Sequence, residues 1–225
     1  KLVHHCSNGR SVYSFCMCPG GTVVAAASEE GRLVTNGMSQ YSRHERNANS
    51  AIVVGIEPKD FTQGKFAAND DSVLAGIEFQ RRLEEQAFHM GGSTYDAPVQ
   101  LVGDFLAGRK SGEHGSVTPS YKPGVTYCDL SEALPDYAVT AIREALPAFE
   151  RKIKGFSMSE ATLTAVETRT SSPIQITRDR QTLQSLNAKG LYPAGEGAGY
   201  AGGILSAGID GIKIAEAMAL SMLKE

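Results

Sequence analysis

The sequence predicts an α/β protein, with an antiparallel sheet and helices over residues 1–160 and a strand-turn-helix unit within residues 161–225. Three observations carry this prediction. β-prone runs alternate with turn residues between Arg10 and Gly37. The apolar period becomes helical after Asn69 and again after Leu134. The stretch from Tyr192 to Gly211 then places five glycines between Gly195 and Gly203, ahead of a small-residue, helix-like tail.

Taken in order, "RSVYSFCMC" alternates in polarity, "CPGG" reads as a turn, "TVVAAA" is β-prone, "SEEG" turns again and "RLVTNG" follows, which is the rhythm of a meander. "SAIVVGIEP" reads as a further buried strand, stopped by Pro58. Asn69, Asp70, Asp71 and Ser72 are candidate N-caps for a helix that carries Val73, Leu74, Ile77, Leu83, Ala87 and Phe88 and ends at Gly91 and Gly92. From Ser93 to Tyr127 only "APVQLVGDFL" looks ordered; the rest, rich in Gly, Ser, Pro and Lys, reads as either a lid or a disordered connection. A helix with Val139, Ile142, Leu146, Phe149 and Ile153 on one face follows, and Pro147 is expected to kink or divide it. "TLTAVETRT", "PIQITRD" and "KGLYPAGE" read as short strands.

The glycine-rich turn has two readings. The first turn of a helix presents unpaired N–H groups at the positive end of its dipole, and glycines let an anion or an electron-rich carbonyl approach the backbone there. Alternatively, the glycines let the helix pack closely on a strand through the slim stripe of Ile204, Gly208, Ile212, Ala215, Ala219 and Met222. The G-x-G-x-x-G fingerprint with a downstream acidic strand is not met here, so a complete nucleotide-binding βαβ unit is not expected.

"GLYPAGEGAGYAGGILSAGIDGIKIAEAM", "RSVYSFCMCPGGTVVAAASEEGRLVTNGMSQYSRHERNANSAIVVGI", "APVQLVGDF" and "ETRTSSPIQITRD" together resemble, over nearly the whole chain, the bacterial FAD-dependent dehydrogenases of the two-dinucleotide-binding-domain flavoprotein superfamily. The resemblance implies that residues 1–160 form a cap or substrate-side domain and 161–225 the last segment of the FAD-binding domain. It implies that Glu196 lies by the ribitol or pyrophosphate, that Gly195, Gly197 and Gly199 shape the turn, and that Gly202, Gly203 and Ile204 offer N–H groups to the flavin. It also implies a flavin oxidoreductase acting on a small-molecule substrate, and it admits NAD(P)H as electron donor. The chain starts at Lys1 rather than Met, so it is expected to be the C-terminal portion of a longer protein whose upstream Rossmann segment grips the ADP half of FAD. On its own it is then expected to be inactive and poor in flavin. The alternative is a non-catalytic binding domain that retains a flavoprotein-like core.

Three further residues are candidate catalytic groups. Cys16 and Cys18, two apart, would share one side of a strand, either as a thiol pair beside flavin or substrate or, the favoured reading, as small packed residues. Arg169 either binds a carboxylate or the flavin edge or forms a surface pair with Glu167. The five histidines show no ligand spacing, so no metal is expected. A net charge of -3 with scattered Lys and Arg argues against nucleic acid as a partner, and no apolar run nears the roughly 20 residues of a membrane helix. With no apolar signal core at the N-terminus and four cysteines outside any disulfide pattern, the expected location is the cytoplasm with reduced thiols.

Overall fold

The computed structural model describes residues 1–69 and 72–223. It is an α+β arrangement of two sheets with helices packed against them. The first sheet is antiparallel and comprises β1 (Leu2–His5), β2 (Ser11–Ala25), β3 (Thr35–Ser39) and β4 (Asn47–Val54). The 15-residue β2 is its spine, pairing with β1 early, with β3 late and with β4 along most of its length. "CPGG" is therefore not a turn: β2 runs through it. The register against β4 shifts between Phe15 and Cys18 and again between Cys18 and Gly21, so Pro19, which has no N–H to give, sits at an irregularity where the ladder is already interrupted. The expected break near Ser28 to Gly31 is present.

Helix α1 (Ala75–Met90) starts later than the sequence suggests. Leu74 is its N-cap without a side-chain cap bond, and Asp70 and Asp71 lie outside the described residues. Its buried face is Phe79, Leu83 and Ala87, whereas Val73 and Leu74 precede the helix and are exposed. The chain then enters β5 (Ala97–Leu101) and the short α2 (Val102–Ala107), which Gly108 ends in the left-handed conformation. Residues 108–124 are tied to the rest of the fold. Tyr121 and Ser111 are buried there, the Ser120 hydroxyl accepts from the Val23 N–H of β2, and Asn47 and Arg46 donate to the carbonyls of Thr118 and Ser116.

Strand β6 (Val125–Tyr127) pairs parallel to β5, and β7 (Thr162–Thr164) pairs antiparallel on its other side, forming the second sheet. Between them runs α3 (Asp136–Glu150), with Val139, Ile142, Leu146 and Phe149 buried as its period requires. Pro147 does not divide it. Only one turn of helix follows the proline, so a single ladder bond is forfeited close to the end, and the Arg151 N–H still reaches the Pro147 carbonyl. The core joins the two layers: Leu33, Ala87, Ala97, Val102, Phe105, Leu146 and Val166 form its centre, and Phe149 packs with Val12, Cys6 and Ala141 at the β1 end.

After β7 the predicted strands disappear. "PIQITRD" and "KGLYPAGE" form no ladder; a single bridge links Arg178 to Ser185, and the Ile176 N–H bonds to the Ala198 carbonyl. Helix α4 (Ile204–Met222) closes the described chain with only Ile214 buried. The stripe expected to pack on a sheet faces outward, with Ile204 84% and Ile212 71% exposed.

Candidate functional site

The glycine-rich turn folds on itself through two backbone bonds, Gly199 N–H to Glu196 O and Tyr200 N–H to Gly195 O, both 2.9 Å. The five glycines are present for different reasons. Gly195 and Gly199 have φ of +65° and +80°, in the left-handed region, and a Cβ on Gly199 would also collide with the Ile174 carbonyl and come within 3.0 Å of Gln175 Cα. These two are required by the turn. Gly197 has nothing within 4 Å of where a Cβ would lie; Gly202 and Gly203 have only Ser171 Cβ at 3.9 Å and Ser206 Oγ at 3.7 Å. Gly203 is the N-cap of α4 with φ −163°, extended backbone that any residue adopts. Neither packing nor conformation within the described residues explains the glycines at 197, 202 and 203.

An Arg–Asp pair that the sequence reading missed anchors the turn to its helix. Asp210, one of the few charges on α4, receives two bonds from Arg178, at 2.6 and 2.9 Å, and a third from the Gly195 N–H at 2.8 Å. Arg178 also donates to the Pro193 carbonyl and stacks on the Tyr200 ring, 3.6 Å from its centroid. The Arg178 hydrogen bonds chiefly, helped by the Gly195 N–H, hold the Asp210 carboxyl down at about 2. Asp210, the only Asp in α4 and one of its three charged residues with Lys213 and Glu216, was the available signal.

Beside the turn lies an open cleft of about 260 Å³. Arg169, Ser171 and Ser172 form one wall, Glu196 and Gly197 another, and Gln80 of α1 reaches in from a third side. The fold thus unites Arg169 with the glycine-rich turn. Arg169 does not pair with Glu167 as the sequence suggested. Its guanidinium forks onto Glu84 of α1, with Nε to Oε1 at 2.6 Å and Nη2 to Oε2 at 2.8 Å, and touches Glu29 at 3.4 Å. Glu84 is fully buried and also accepts from the Thr168 hydroxyl. No strand carries Glu167 and Arg169, and Glu167 instead accepts the Arg169 N–H. Burial pushes the Glu167 carboxyl up, and the charges of Glu196 and Glu84 add to that push against the Arg169 N–H.

Cys16 and Cys18 lie away from this cleft, in the irregular part of β2. Cys16 is exposed while Cys18 is buried, because the bulge between Phe15 and Cys18 breaks the alternation that would have given them equal exposure. Burial, and then the neighbouring Cys16, raises the Cys18 thiol. All four cysteines are free thiols.

The first turn of α4 has no side-chain cap bond, and Gly202 and Gly203, where a Cβ would meet only ordinary contacts, lead directly into it. This arrangement, with Glu196 exposed nearby, suits an electron-rich planar edge laid against backbone N–H groups. The architecture and the cleft define a helix-covered α+β domain with a glycine-rich turn toward its C-terminal end. The chain belongs to the family described as FAD-dependent protein, C-terminal domain-like, which matches residues 1–170. That span includes Arg169 and ends before the glycine-rich turn. An uncharacterized protein of Clostridium beijerinckii is 56% identical over 207 residues, covering 92% of this chain and 37% of the relative. The chain therefore spans little more than a third of that relative's length. No helix among the described residues is long and apolar enough to cross a membrane.

Proposed function

We propose that this chain is the substrate-side and flavin-closing portion of an FAD-dependent oxidoreductase, a dehydrogenase acting on a small molecule, with NAD(P)H as a candidate electron donor. The observation that carries the reading is the open space at Gly197 and the room for a Cβ at Gly202 and Gly203, beside a cleft that Arg169 and Glu196 share. Glycine is a common N-cap, which accounts in part for Gly203, but no such role falls to Gly197 and Gly202, and a ligand that comes within contact distance of the backbone supplies a reason for them.

In this reading Gly202, Gly203 and Ile204 hold the pyrimidine edge of the flavin with backbone N–H groups, and Glu196 orients the ribitol. When bound, FAD supplies the electron acceptance that no side chain here provides. The residues of this chain bind and orient. Gly195 and Gly199 fix the turn, Asp210 and Arg178 hold it to α4, and the Glu84–Arg169 pair sets the cleft wall. The exposed apolar stripe of α4 is unlike a finished protein surface, and in the proposed arrangement the remainder of the parent polypeptide covers it with a Rossmann segment.

Substitution of Gly203 in the parent protein tests this. Gly203→Val should empty the FAD site while costing the cofactor-free protein no more than the loss of a glycine N-cap, about 1 kcal/mol, because a Cβ there meets no described atom of this chain closer than 3.7 Å. Unchanged FAD affinity in the variant would refute the flavin role of the turn. A parent protein that is colourless and binds no FAD would favour a non-catalytic domain.

A further inference from the structure

We propose that His4, Cys6 and Glu144 form a divalent transition-metal site, suited to Zn²⁺, that clips β1 to α3. The site lies apart from the cleft and does not depend on the flavin reading. His4 and Cys6 are two apart at the end of the edge strand, and Glu144 comes from α3, 140 residues beyond His4. Histidine spacing along the sequence could not reveal this group, because its third member is a glutamate 140 residues away in sequence.

The imidazole nitrogen, the thiol sulfur and a carboxylate oxygen lie within 4.8 Å of one another, with His4 Nε2 and Glu144 Oε1 at 2.9 Å. Tetrahedral zinc with bonds of about 2.0–2.3 Å separates such donors by about 3.3–3.6 Å, so side-chain rotation of roughly 1.5 Å or less closes the set. The donor chemistry matches the ion: thiolate and imidazole favour zinc over magnesium or calcium, and three protein ligands leave a fourth position for water. The charges balance as well. A thiolate and a carboxylate neutralise a dication, which suits a place where Cys6 is 8% exposed and the His4 and Glu144 side chains are 24% and 34% exposed.

The surroundings are arranged as an outer sphere. Ser7 donates its hydroxyl to Glu144 Oε2 at 2.7 Å and its N–H to both carboxylate oxygens at 3.1 Å, fixing the carboxylate with Oε1 toward His4. Without metal the Cys6 thiol donates to the Ala141 carbonyl at 3.5 Å. On binding, the thiol proton leaves to solvent, that hydrogen bond is exchanged for a sulfur–metal bond, and zinc affinity rises with pH accordingly.

The test uses the 225-residue chain without a polyhistidine tag, stripped of metal and kept reduced. Titration with Co²⁺ should give one equivalent of thiolate-to-cobalt charge-transfer absorption with the visible bands of a tetrahedral ion, and Zn²⁺ should abolish both. Cys6→Ser should remove the charge-transfer band. His4→Gln and Glu144→Gln should weaken Zn²⁺ by at least the 10–100-fold, roughly, that loss of an outer-sphere partner costs. His5→Gln, whose exposed ring bonds to the Ser11 hydroxyl, should bind like the wild type. If Cys6→Ser does not fold, protection of Cys6 from alkylation by Zn²⁺ in the wild type replaces it. Absence of the sulfur–cobalt band, zinc binding that survives Cys6→Ser, equal loss in His5→Gln, or no protection of Cys6 would each overturn the assignment.

Discussion

Replacing Asp210 by Asn perturbs the point where the glycine-rich turn is fastened to α4. The carboxyl is held down from its ordinary 3.8 to about 2, chiefly by the Arg178 bonds. Asp210 and Arg178 are only 13% and 10% exposed, so solvent screens the pair weakly. Each pH unit of displacement corresponds to about 1.4 kcal/mol, so the ionised Asp210 contributes about 2 kcal/mol to folding. The sign follows from the direction. A carboxyl with a lowered folded-state value gives its full contribution above about pH 4 and loses it as the pH falls toward about 2. Asp210→Asn should therefore reduce unfolding free energy by about 2 kcal/mol at neutral pH and narrow its gap to the wild type near pH 2. Asp210→Ala should lose more, about 3–5 kcal/mol, because it strands the Arg178 charge and the Gly195 N–H. Urea unfolding of the three proteins across acid and neutral pH measures this. A Asp210→Asn loss that is negligible at neutral pH, or that is the same at low pH, would refute the clamp.

Four further outcomes follow from the geometry. Gly199→Ala should destabilise the chain by at least about 1–3 kcal/mol, since it forces a Cβ into left-handed backbone against Ile174, whereas Gly197→Ala should be nearly silent in the absence of flavin; thermal unfolding compares them. Arg169→Ala leaves the Glu84 carboxylate buried with the Thr168 hydroxyl alone, and denaturant unfolding should show a loss near the low end of about 3–5 kcal/mol because Arg169 is itself 38% exposed. A thiol-specific chromogenic reagent at neutral pH should label exposed Cys16 first, with Cys128, raised to about 11 by burial, reacting only on unfolding. The isolated chain should elute colourless from gel filtration after incubation with FAD, because the proposed grip on the ADP half lies in the remainder of the parent; a stoichiometric yellow complex would contradict that division.

Local pattern made α1, α3, β4 and the breaks around them legible, since helix and strand periods there coincide with the burial that tertiary packing imposes. It failed where pairing partners decide. "CPGG" carries every turn signal, yet β2 continues because β3 and β4 flank it and bulges absorb the proline and Gly20, whose φ is +52°. "PIQITRD" has the β-branched residues of a strand and is not one, because no described strand lies alongside: Ile176 is 43% exposed, and its segment is held by the glycine-rich turn and by Tyr200. β-propensity expresses fit to a neighbouring strand, and a single sequence does not show whether that neighbour exists.

The site divides along the same line. A glycine is visible in the sequence, but its reason is not. Gly195 and Gly199 prove to be conformational, and Gly197, Gly202 and Gly203 have room to spare, a distinction that only the surrounding atoms can make. Arg169 was visible as a candidate, whereas the carboxylate it pairs with is not the Glu167 that one reading offered but Glu84, from a helix 85 residues upstream. The flavin reading therefore rests less on the number of glycines than on the three that the protein's own packing leaves unexplained. A packing account of the turn must place against those positions an atom of the remainder of the parent polypeptide, because the nearest atoms of this chain lie at ordinary contact distance or beyond 4 Å.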